Sequence, residues 1–467
     1  MSTTPPSVRQ PWVKPSLTPH RAGGMNKFGA SRAQMHLAAI DGVEIAPLLA
    51  RYGTPLFILS EKTLRDNARR LRRAFATRWP QVRHGWSYKT NYLGAVCNIF
   101  HQEGSWAEVV SGFEYEKARA LGVPGRRIIF NGPCKGEAIL EQAVREGALI
   151  HLDHLDELYA LEQIAARLKQ PVNVGLRLNF DTGFTPAWSR FGFNLETGAA
   201  RDAVQRIASS RWMRLTGLHS HIGTFITDTR AFAVQARTMA AFMDTVEKDN
   251  GCTIEYLDIG GGFASRNTLQ GSYGHPDQTV PSFDQYAEAV TGALMEATRG
   301  RAASGRPLPA LILETGRALV DDAGTLVARA VGGKRLPDGR RAVILDAGVN
   351  LLFTAFWYNH EVRPLRPLHG IAEETVLYGP LCMNIDVVRS SIMLPPLSVG
   401  EPVAIRPAGA YNNTQWLQFI EYRPAVVMVT AAGTVELVRE AENLATITER
   451  ERLPALAAEP FPAGLPD

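Results

Sequence analysis

The sequence of 467 residues contains only four cysteines, Cys97, Cys134, Cys252 and Cys382, and none of them belongs to a CxxC pair. Widely separated cysteines without a second ligand at metal-binding spacing argue against a structural zinc site and against a disulfide scaffold. We therefore expect reduced cysteines, a cytoplasmic protein and no bound metal.

Long apolar runs and a strong charge of one sign are also missing. No run reaches the roughly 18 residues that span a bilayer, and the first residues lack the apolar centre of a secretion signal. The 50 Lys and Arg residues nearly balance the 46 Asp and Glu residues, for a formal charge of +4. No basic stripe interleaved with aromatic residues indicates a nucleic-acid surface. We expect neither a membrane nor a nucleic acid as a partner.

From about residue 54 to 320, the sequence alternates short apolar runs with amphipathic helices. The segment "EKTLRDNARRLRRAFATRW" places Leu64, Ala68, Leu71 and Phe75 on one helical stripe. Apolar runs such as "VNVGLRLNF" and "IEYLDIGGGF" end in polar residues or glycine. Continuous apolar strands separated by helices predict an α/β fold with a parallel sheet covered on both faces, here a TIM-like (β/α)8 barrel.

Beyond about residue 320, strands follow one another without helices, and glycine and proline turns lie between them. This pattern predicts a C-terminal β-sandwich or β-barrel domain. The segment before the barrel is expected to contribute a strand to that domain. The predicted division is a disordered leader (1–35), a segment of the β domain (36–56), the barrel (57–320) and the C-terminal β domain (321–467).

Four kinds of residue follow predicted barrel strands, where such barrels place their active sites. Taken alone, each has an ordinary explanation: Lys89 and Glu314 as surface charges, His221 as a core histidine, and the glycines at 260–262 as a tight turn. Together, these groups suit pyridoxal 5'-phosphate. The amine can bind its aldehyde, the backbone N–H groups its phosphate, the carboxylate its ring nitrogen and the imidazole the face of its ring.

The pattern extends well beyond these residues and resembles the fold-type III pyridoxal-phosphate decarboxylases, the group of diaminopimelate, ornithine and arginine decarboxylases. The resemblance runs from about residue 40 to 435, and its motifs stand in the order of the family. They are "YKTN" (88–91), "EVVSGFE" (108–114), "IIFNGPCKG" (128–136), "GLRLN" with "SRFGF" (175–193), "GLHSHIGT" (217–224), "LDIGGGF" (257–263), "ETGR" (314–317), "DAGVN" (346–350), "GPLCMNID" (379–386) and "GAY" (409–411).

The resemblance implies a cofactor site. Lys89 would form the Schiff base and is expected to have a depressed pKa, Glu314 would pair with the pyridine nitrogen, and His221 would stack on the ring. The residues that the resemblance assigns to pyridoxal phosphate are Lys89, Arg177, His221, Thr224, Gly261, Gly262, Glu314, Gly316, Arg317 and Tyr411.

The resemblance also implies that the active sites lie at the interface of a homodimer. Cys382 looks like the residue that the family contributes across this interface to deliver a proton after carbon dioxide leaves. The residues assigned to catalysis are Lys89, Cys382, Glu314 and His221. The alternative interpretation is that Cys382 is only a small buried hydrophobic residue, as free cysteines often are.

The implied reaction is decarboxylation of a small-molecule α-amino acid to an amine. The family's diaminopimelate enzymes have an arginine where Thr354 stands and a glutamate where Met383 follows Cys382. The absence of both charged groups from this sequence predicts a different substrate. We expect a diamino acid, or a larger or acylated derivative of one, of the kind used in siderophore or secondary-metabolite biosynthesis. The predicted substrate-binding residues are Tyr358, Met383, Asn384 and Asp386, with Trp357, His360, Asn412 and Asn413 as further candidates, although Asp386 can also serve the scaffold.

Three alternatives stay open at this point. The first is diaminopimelate decarboxylation in lysine biosynthesis. The second is a racemase on the same barrel, which the acidic "ETGR" motif disfavours, because racemases of the alanine type place an arginine beside the pyridine nitrogen. The third is a catalytically silent pyridoxal-phosphate-binding partner, which the presence of both Lys89 and Cys382 disfavours.

Overall fold

The structure of the protein, a computed structural model, describes residues 36–272 and 274–454. The predicted leader lies outside this range. The strands are β1 Ala39–Ile40, β2 Val43–Glu44, β3 Leu56–Ser60, β4 Val82–Ser87, β5 Trp106–Val109, β6 Ile128–Phe130, β7 Leu149–Leu152, β8 Val172–Asn179, β9 Phe193–Asn194, β10 Met213–Ser220, β11 Tyr256–Asp258, β12 Ala310–Leu313, β13 Gly324–Arg335, β14 Arg341–Leu345, β15 Glu361–Pro364, β16 Glu373–Tyr378, β17 Val387–Leu394, β18 Pro402–Arg406, β19 Val426–Val429 and β20 Val435–Arg439.

Most of the helices lie between the strands of the first two thirds of the chain. They are α1 Ile45–Tyr52, α2 Glu61–Ala76, α3 Gly94–Gln102, α4 Gly112–Ala120, α5 Glu137–Glu146, α6 Leu155–Leu168, α7 Ala199–Ala208, α8 Thr229–Asn250, α9 Pro276–Thr279, α10 Phe283–Ala297, α11 Arg299–Ala303, α12 Arg317–Val320, α13 Asn412–Gln415 and α14 Leu444–Thr448. No helix of the described residues is both long and apolar enough to cross a lipid bilayer.

Eight parallel strands close into the predicted barrel. The order is β10–β11–β12–β4–β5–β6–β7–β8, and β8 pairs with β10 to complete the ring. The short strand β9 pairs with β8 outside the ring. Because all eight strands run in the same direction, their carboxyl ends meet at one mouth, where the loops that follow them converge. The predicted fold class is confirmed.

The helices pack against the barrel through the apolar stripes that the sequence predicts. Helix α2 begins at Ser60, whose side chain accepts the N–H of Thr63 at 3.0 Å. Its predicted stripe of Leu64, Ala68, Leu71 and Phe75 is buried. Burying one large apolar side chain stabilises a fold by about 1.5–3 kcal/mol, so this face holds α2 on the sheet.

A second sheet forms the β domain, with the strand order β17–β16–β14–β13–β3–β19–β20. As expected, the N-terminal part of the chain contributes a strand: β3 pairs antiparallel with β13 and parallel with β19. The predicted boundary between residues 56 and 57 falls inside β3. The barrel part begins after Ser60, the N-cap of α2.

Candidate functional site

Lys89 lies in a short turn directly after β4, at the mouth of the barrel. Its Nζ donates to both carboxylate oxygens of Glu108 on β5, at 2.9 and 2.7 Å. Burial alone would lower the pKa of Lys89, but nearby negative charge, that of Glu108 foremost, raises this pKa above its ordinary value. The expected depressed pKa is therefore wrong, because sequence reasoning did not foresee the carboxylate on the neighbouring strand.

Glu314 follows β12 and is buried. Asn131, directly after β6, donates through Nδ2 to Glu314 Oε1 at 2.5 Å and to Glu108 Oε1 at 3.0 Å. One amide group thus joins the carboxylate beside Lys89 to the carboxylate predicted to face the cofactor nitrogen. The structure brings Lys89 and Glu314 into one hydrogen-bonded cluster.

Asp258, at the end of β11, is a further acidic neighbour of Glu314. Burial and the adjacent Glu314 charge raise the pKa of Asp258 well above its usual range. Its Oδ1 accepts the N–H of Gly260 at 2.9 Å. The raised pKa favours the neutral acid of Asp258, which lies beside Glu314 at the mouth of the barrel.

His221 lies just after β10, as predicted for a residue on the face of the cofactor ring. Its Nδ1 accepts the N–H of Gly261 at 3.1 Å, so a neutral ring carries its proton on Nε2. Burial, with Arg177 and Lys89 nearby, lowers the pKa of His221 to about 3. The indole of Trp188 contacts the same ring edge-on, with 5.1 Å between ring centroids. The imidazole is thus neutral and held in one orientation.

The predicted glycines form a cradle in which no side chain fits. A Cβ on Gly261 would lie 2.7 Å from the carbonyl oxygen of Glu314, and one on Gly316 would lie 2.1 Å from Thr90 Oγ1. Gly262 has a φ of 98°, and a Cβ there would lie 2.5 Å from the Gly223 carbonyl oxygen. These close approaches require glycine, and the lack of side chains lets an anion come close to the backbone.

Arg317 completes the cradle with a cation. Its guanidinium lies over the rings of Tyr411 and Tyr358, at 4.7 and 4.9 Å from the ring centroids. Its Nε and Nη1 are buried and have no hydrogen-bond partner among the described residues, and Thr90 Oγ1 is equally unpartnered. Buried donors of this kind need an acceptor. Arg317 and the glycines fit the phosphate of pyridoxal phosphate, and Lys89, Glu314 and His221 fit its aldehyde, ring nitrogen and ring face.

Two further predicted cofactor residues lie at the same mouth. Arg177, on β8, is buried, with its Nη1 3.5 Å from Asp153 Oδ1 and its guanidinium 4.5 Å from the centroid of Phe191. Thr224 is exposed in the loop after β10, next to Phe225, whose φ of 55° is unusual for a residue with a side chain. The hydroxyl of Thr224 is accessible to a ligand.

Cys382 and its neighbours lie in the loop between β16 and β17. Cys382 and Asn384 are exposed and Met383 is half-buried. Asp386, by contrast, is buried, and its carboxylate accepts the N–H groups of Val349 at 2.7 Å and Leu381 at 2.8 Å. The predicted substrate contact by Asp386 is therefore wrong, because both carboxylate oxygens already bind the backbone. Asp386 serves the scaffold.

Thr354, which stands at the position of the family's arginine, is buried. Its Oγ1 lies 2.9 Å from Asn412 Oδ1 and 3.0 Å from His360 Nε2, and His360 Nδ1 lies 2.7 Å from the Pro407 carbonyl oxygen. His360 and Asn412, two further substrate candidates, are thus committed to an internal network. The buried Asn413 accepts through Oδ1 from Asn91 Nδ2 at 3.4 Å, while its own Nδ2 has no hydrogen-bond partner among the described residues. Trp357 is 48% exposed and accessible, whereas Tyr358 is only 3% exposed.

Two histidines that the sequence did not single out lie in the barrel near Glu314. His151 and His219 stack with 4.8 Å between ring centroids, and with Glu314 they could place three ligand atoms around a metal ion. Both ring nitrogens of His151, however, already lie within hydrogen-bond distance of Asn131 and Tyr256. With both nitrogens of His151 engaged, this group offers fewer than three available ligand residues, which is too few for a stable site.

Sequence reasoning missed Glu108, Asn131 and His151 as members of the site. Glu108 and Asn131 stand inside motifs that carry the resemblance, "EVVSGFE" and "IIFNGPCKG". The available signal was a polar residue at or just after a predicted barrel strand, which is the same signal that singled out Lys89 and Glu314.

Comparison with known proteins agrees with this geometry. Residues 62–321 match the family described as pyridoxal-dependent decarboxylase, pyridoxal binding domain. The diaminopimelate decarboxylase of Methanothermobacter thermautotrophicus is 31% identical over 427 residues, which cover 89% of this chain and 96% of that protein. The diaminopimelate decarboxylase of Bacillus subtilis is 28% identical over 438 residues, covering 90% and 97%.

A solved structure is similar over the same length. The crystal structure of diaminopimelate decarboxylase from M. jannaschii in complex with L-lysine superposes with a TM-score of 0.82 and 26% identity, covering 91% of this chain and 98% of that one. The family match spans more than half of the chain, and the curated relatives extend across both its barrel and its β domain. The chain therefore belongs to the fold-type III pyridoxal-phosphate-dependent amino-acid decarboxylases.

Proposed function

We propose that Lys89 is the residue that binds the cofactor covalently and that Glu108 is its proton acceptor. An amine attacks an aldehyde only in its neutral form, so the Lys89 ammonium must first lose a proton. Glu108, at 2.7 Å, is the base within reach. Support comes from the position of both groups at the barrel mouth and from the link through Asn131 to Glu314.

Pyridoxal phosphate, when bound, supplies an aldehyde that joins covalently to amines and a ring that accepts the electron pair left when the bond from Cα to the carboxylate breaks. In our proposal, Glu314 accepts a hydrogen bond from the protonated ring nitrogen and so keeps that nitrogen cationic. His221 packs against the ring as a neutral imidazole, because its pKa of about 3 lies far below neutral pH. The imidazole therefore stays uncharged near pH 7.

The phosphate is proposed to bind at Gly261, Gly262, Gly316 and Arg317, with the hydroxyls of Thr224 and Tyr411 as further partners. The supporting observation is that Nε and Nη1 of the half-buried Arg317 are themselves buried and have no hydrogen-bond partner among the described residues. Buried donors without an acceptor destabilise a fold, and a dianion in the glycine cradle would offset that cost. Arg177 is proposed to lie near the hydroxyl edge of the ring.

Cys382 is proposed to donate the proton that replaces carbon dioxide, in the site of a second copy of the chain. Cys382 is exposed, and within residues 36–272 and 274–454 no hydrogen bond or ion pair joins it to the barrel residues of its own chain. An exposed cysteine on a loop of the β domain is available to a partner. A homodimer with shared active sites follows from this role.

For the substrate, we propose an α-amino acid whose far end is not the ammonium and carboxylate pair of diaminopimelate. The observation that carries this proposal is the burial of Thr354 in the network with His360 and Asn412, since a buried neutral hydroxyl cannot bind a distal carboxylate as a guanidinium does. A cleft of about 530 Å³, lined by Asp153 and Asn179 among other polar residues, lies on the Arg177 side and has room for a larger group.

Diaminopimelate is the second candidate substrate, because the two curated relatives described above are diaminopimelate decarboxylases over nearly their whole length. Siderophore or other secondary-metabolite biosynthesis, the pathway type expected from the sequence, stays a prediction.

The test is release of labelled carbon dioxide from a panel of carboxyl-labelled amino acids. The panel contains meso-diaminopimelate, lysine, ornithine, arginine and citrate-conjugated diamino acids. We expect kcat/KM for at least one larger or acylated substrate to exceed that for meso-diaminopimelate by about a hundredfold, which corresponds to one charge-assisted pair lost at the distal end. Turnover of meso-diaminopimelate as the best substrate would overturn the substrate proposal and leave the decarboxylase assignment intact.

A further inference from the structure

Three polar side chains form a row inside the barrel, below the predicted cofactor site. They are Tyr256 on β11, His151 on β7 and Asn131 after β6, and their exposed fractions are 3%, 1% and 3%. A buried polar group destabilises a core unless it is hydrogen-bonded. A barrel interior is normally filled by branched apolar side chains, so this row needs a physical reason.

The row is continuous. The Tyr256 hydroxyl lies 3.0 Å from His151 Nε2, and His151 Nδ1 lies 2.7 Å from Asn131 Oδ1. Asn131 Nδ2 then lies 2.5 Å from Glu314 Oε1 and 3.0 Å from Glu108 Oε1. The chain of contacts therefore begins at a tyrosine hydroxyl and ends on the two carboxylates of the cofactor site.

The hydrogen bonds of the row have one consistent direction. Two carboxylates accept, so Asn131 must present its NH2 to them and its oxygen to His151. His151 must then donate from Nδ1, which leaves Nε2 to accept the Tyr256 hydroxyl. Burial lowers the pKa of His151 well below its ordinary value and raises that of Tyr256 well above its own, so the imidazole is neutral and the hydroxyl keeps its proton.

The sequence makes room for this row with two glycines. Gly175 on β8 pairs in register with His151 and with Gly217 on β10, and Gly217 pairs with Tyr256. A Cβ on Gly217 would lie 1.9 Å from the Tyr256 ring, and one on Gly175 would lie 2.3 Å from the His151 ring. Glycine weakens a strand interior and marks a close approach of other groups. Both glycines lie where the tyrosine crosses the barrel.

We propose that Tyr256, His151 and Asn131 are positioning residues that hold one amide NH2 between Glu108 and Glu314, so that one carboxylate faces Lys89 while the other faces the cofactor nitrogen. This inference rests on the roles proposed above for Glu108 and Glu314. The tyrosine hydroxyl supports the histidine tautomer that carries its proton on Nδ1, the histidine holds the oxygen of the amide, and the amide NH2 holds both carboxylates.

Removing the hydroxyl of Tyr256 removes the hydrogen bond to His151 Nε2, at the end of the row that is farthest from the two carboxylates. Without that donor, the tautomer of His151 with its proton on Nδ1 keeps only one of its two hydrogen bonds, because Nε2 loses its partner. The hydrogen bond from Nδ1 to Asn131 Oδ1 weakens, and the amide between Glu108 and Glu314 is held less firmly. No residue that touches the cofactor has changed.

The test is a double-mutant cycle on the cofactor-loaded enzyme with Tyr256→Phe, Asn131→Ala and the double variant. Tyr115→Phe is the matched control, because Tyr115 is also buried and its hydroxyl donates to Glu146 at 2.8 Å, away from the cofactor site. The first readout is the pH midpoint of the absorption change of the bound cofactor, which needs no substrate. The second is kcat against KM for the best substrate of the panel.

We expect Tyr256→Phe to shift the absorption midpoint and to lower kcat about tenfold, the factor that corresponds to about 1.4 kcal/mol, while KM stays within about twofold. The double variant should match Asn131→Ala alone, since the tyrosine acts only through the amide. The control Tyr115→Phe should leave both readouts unchanged. Additive effects of Tyr256→Phe and Asn131→Ala, or a Tyr256→Phe enzyme that behaves like the control, would overturn the proposal.

Glu314→Gln separates this inference from the proposed function. If Glu314→Gln loses activity while Tyr256→Phe has no effect, only the positioning role is refuted. If Glu314→Gln retains both the wild-type absorption midpoint and the wild-type kcat, the role of Glu314 itself is refuted, and the positioning role with it.

Discussion

Lys89 and Glu108 form an ion pair in which one ammonium group contacts both oxygens of a fully buried carboxylate, at 2.7 and 2.9 Å. Lys89 follows β4 directly and Glu108 lies on the neighbouring strand β5, and the carboxyl ends of these strands meet at the barrel mouth. The pairing raises the pKa of Lys89 despite the desolvation of the amine, and in our proposal it supplies the base that the amine needs.

Replacing Glu108 by glutamine should shift the pH dependence of cofactor loading. Without the negative partner, the pKa of Lys89 falls, because desolvation then opposes the ammonium without compensation. We expect the pH at which the loading rate is half-maximal to fall by about 1–3 units, the range for a lost opposite charge at this distance. The measurement is the rate at which cofactor absorbance develops, over a pH range that extends above 10.5, the ordinary pKa of lysine.

Glu103→Gln is the control for that experiment, since Glu103 pairs with Arg65 and Arg69 and not with Lys89. Equal midpoints for Glu108→Gln and wild type would refute the assignment of Glu108 as the partner of the reactive amine.

Arg317→Met should weaken cofactor binding. The side chains are similar in length, but methionine removes the cation and the two unpartnered buried donors. A hydrogen bond to a charged group contributes about 1.5–3 kcal/mol, so Kd for pyridoxal phosphate should rise about 10- to 100-fold. Equilibrium dialysis measures Kd. Arg317→Lys keeps the charge but lacks the planar guanidinium that lies over the rings of Tyr358 and Tyr411, so its Kd should be intermediate. An unchanged Kd for Arg317→Met would exclude the phosphate role.

Glu114 should make stability depend on pH. Burial, followed by the neighbouring Glu108 charge, raises the pKa of Glu114 from 4.5 to about 7. Because the folded-state pKa is the higher one, its stabilising contribution is complete below pH 4.5 and is lost as the pH rises through 7. At 1.36 kcal/mol per unit, the loss is about 3 kcal/mol.

Glu114→Gln should abolish that dependence, since glutamine does not titrate and can still accept the Val110 N–H that Glu114 Oε2 accepts at 2.8 Å. Urea unfolding at pH 4.5, 6 and 8 compares the variant with wild type. The difference in unfolding free energy between the two proteins should move in favour of the variant by about 3 kcal/mol across this range. A constant difference would show that Glu114 titrates alike in the folded and unfolded chain.

Mixing Lys89→Ala with Cys382→Ala should restore activity that neither variant has alone. If each site takes its lysine from one chain and its cysteine from the other, half of the randomly mixed dimers are heterodimers, and one of their two sites is intact. We expect about a quarter of wild-type activity after mixing. Recovery that stays at zero while size-exclusion chromatography shows mixed dimers would place Cys382 in the site of its own chain.

The barrel and the cofactor cradle were predictable from the sequence, because both depend on local patterns. Apolar runs ending in polar residues mark the carboxyl ends of barrel strands, and "LDIGGGF" and "ETGR" provide glycines and a cation just beyond such ends. The cofactor was indicated by the combination of Lys89, the glycines, Glu314 and His221, and the reaction class came from the family resemblance; the comparisons confirmed both.

The network around Glu314 was not predictable, since it depends on how the barrel closes. Asn131 and Glu314 are 183 residues apart, and His151 and Tyr256 are 105 residues apart. Their contacts exist only because β12 pairs with β4 and β8 with β10. The pKa of Lys89 was misjudged for the same reason: its partner Glu108 comes from the next strand.

The most direct test of the central claim, that Lys89 binds the cofactor at the barrel mouth, is borohydride reduction of the loaded enzyme followed by peptide mapping. Reduction makes the bond between lysine and cofactor permanent, and mass spectrometry then locates it. We predict one modified peptide, containing Lys89. Modification of another lysine instead, such as the buried Lys135 that pairs with Glu157, would contradict the account.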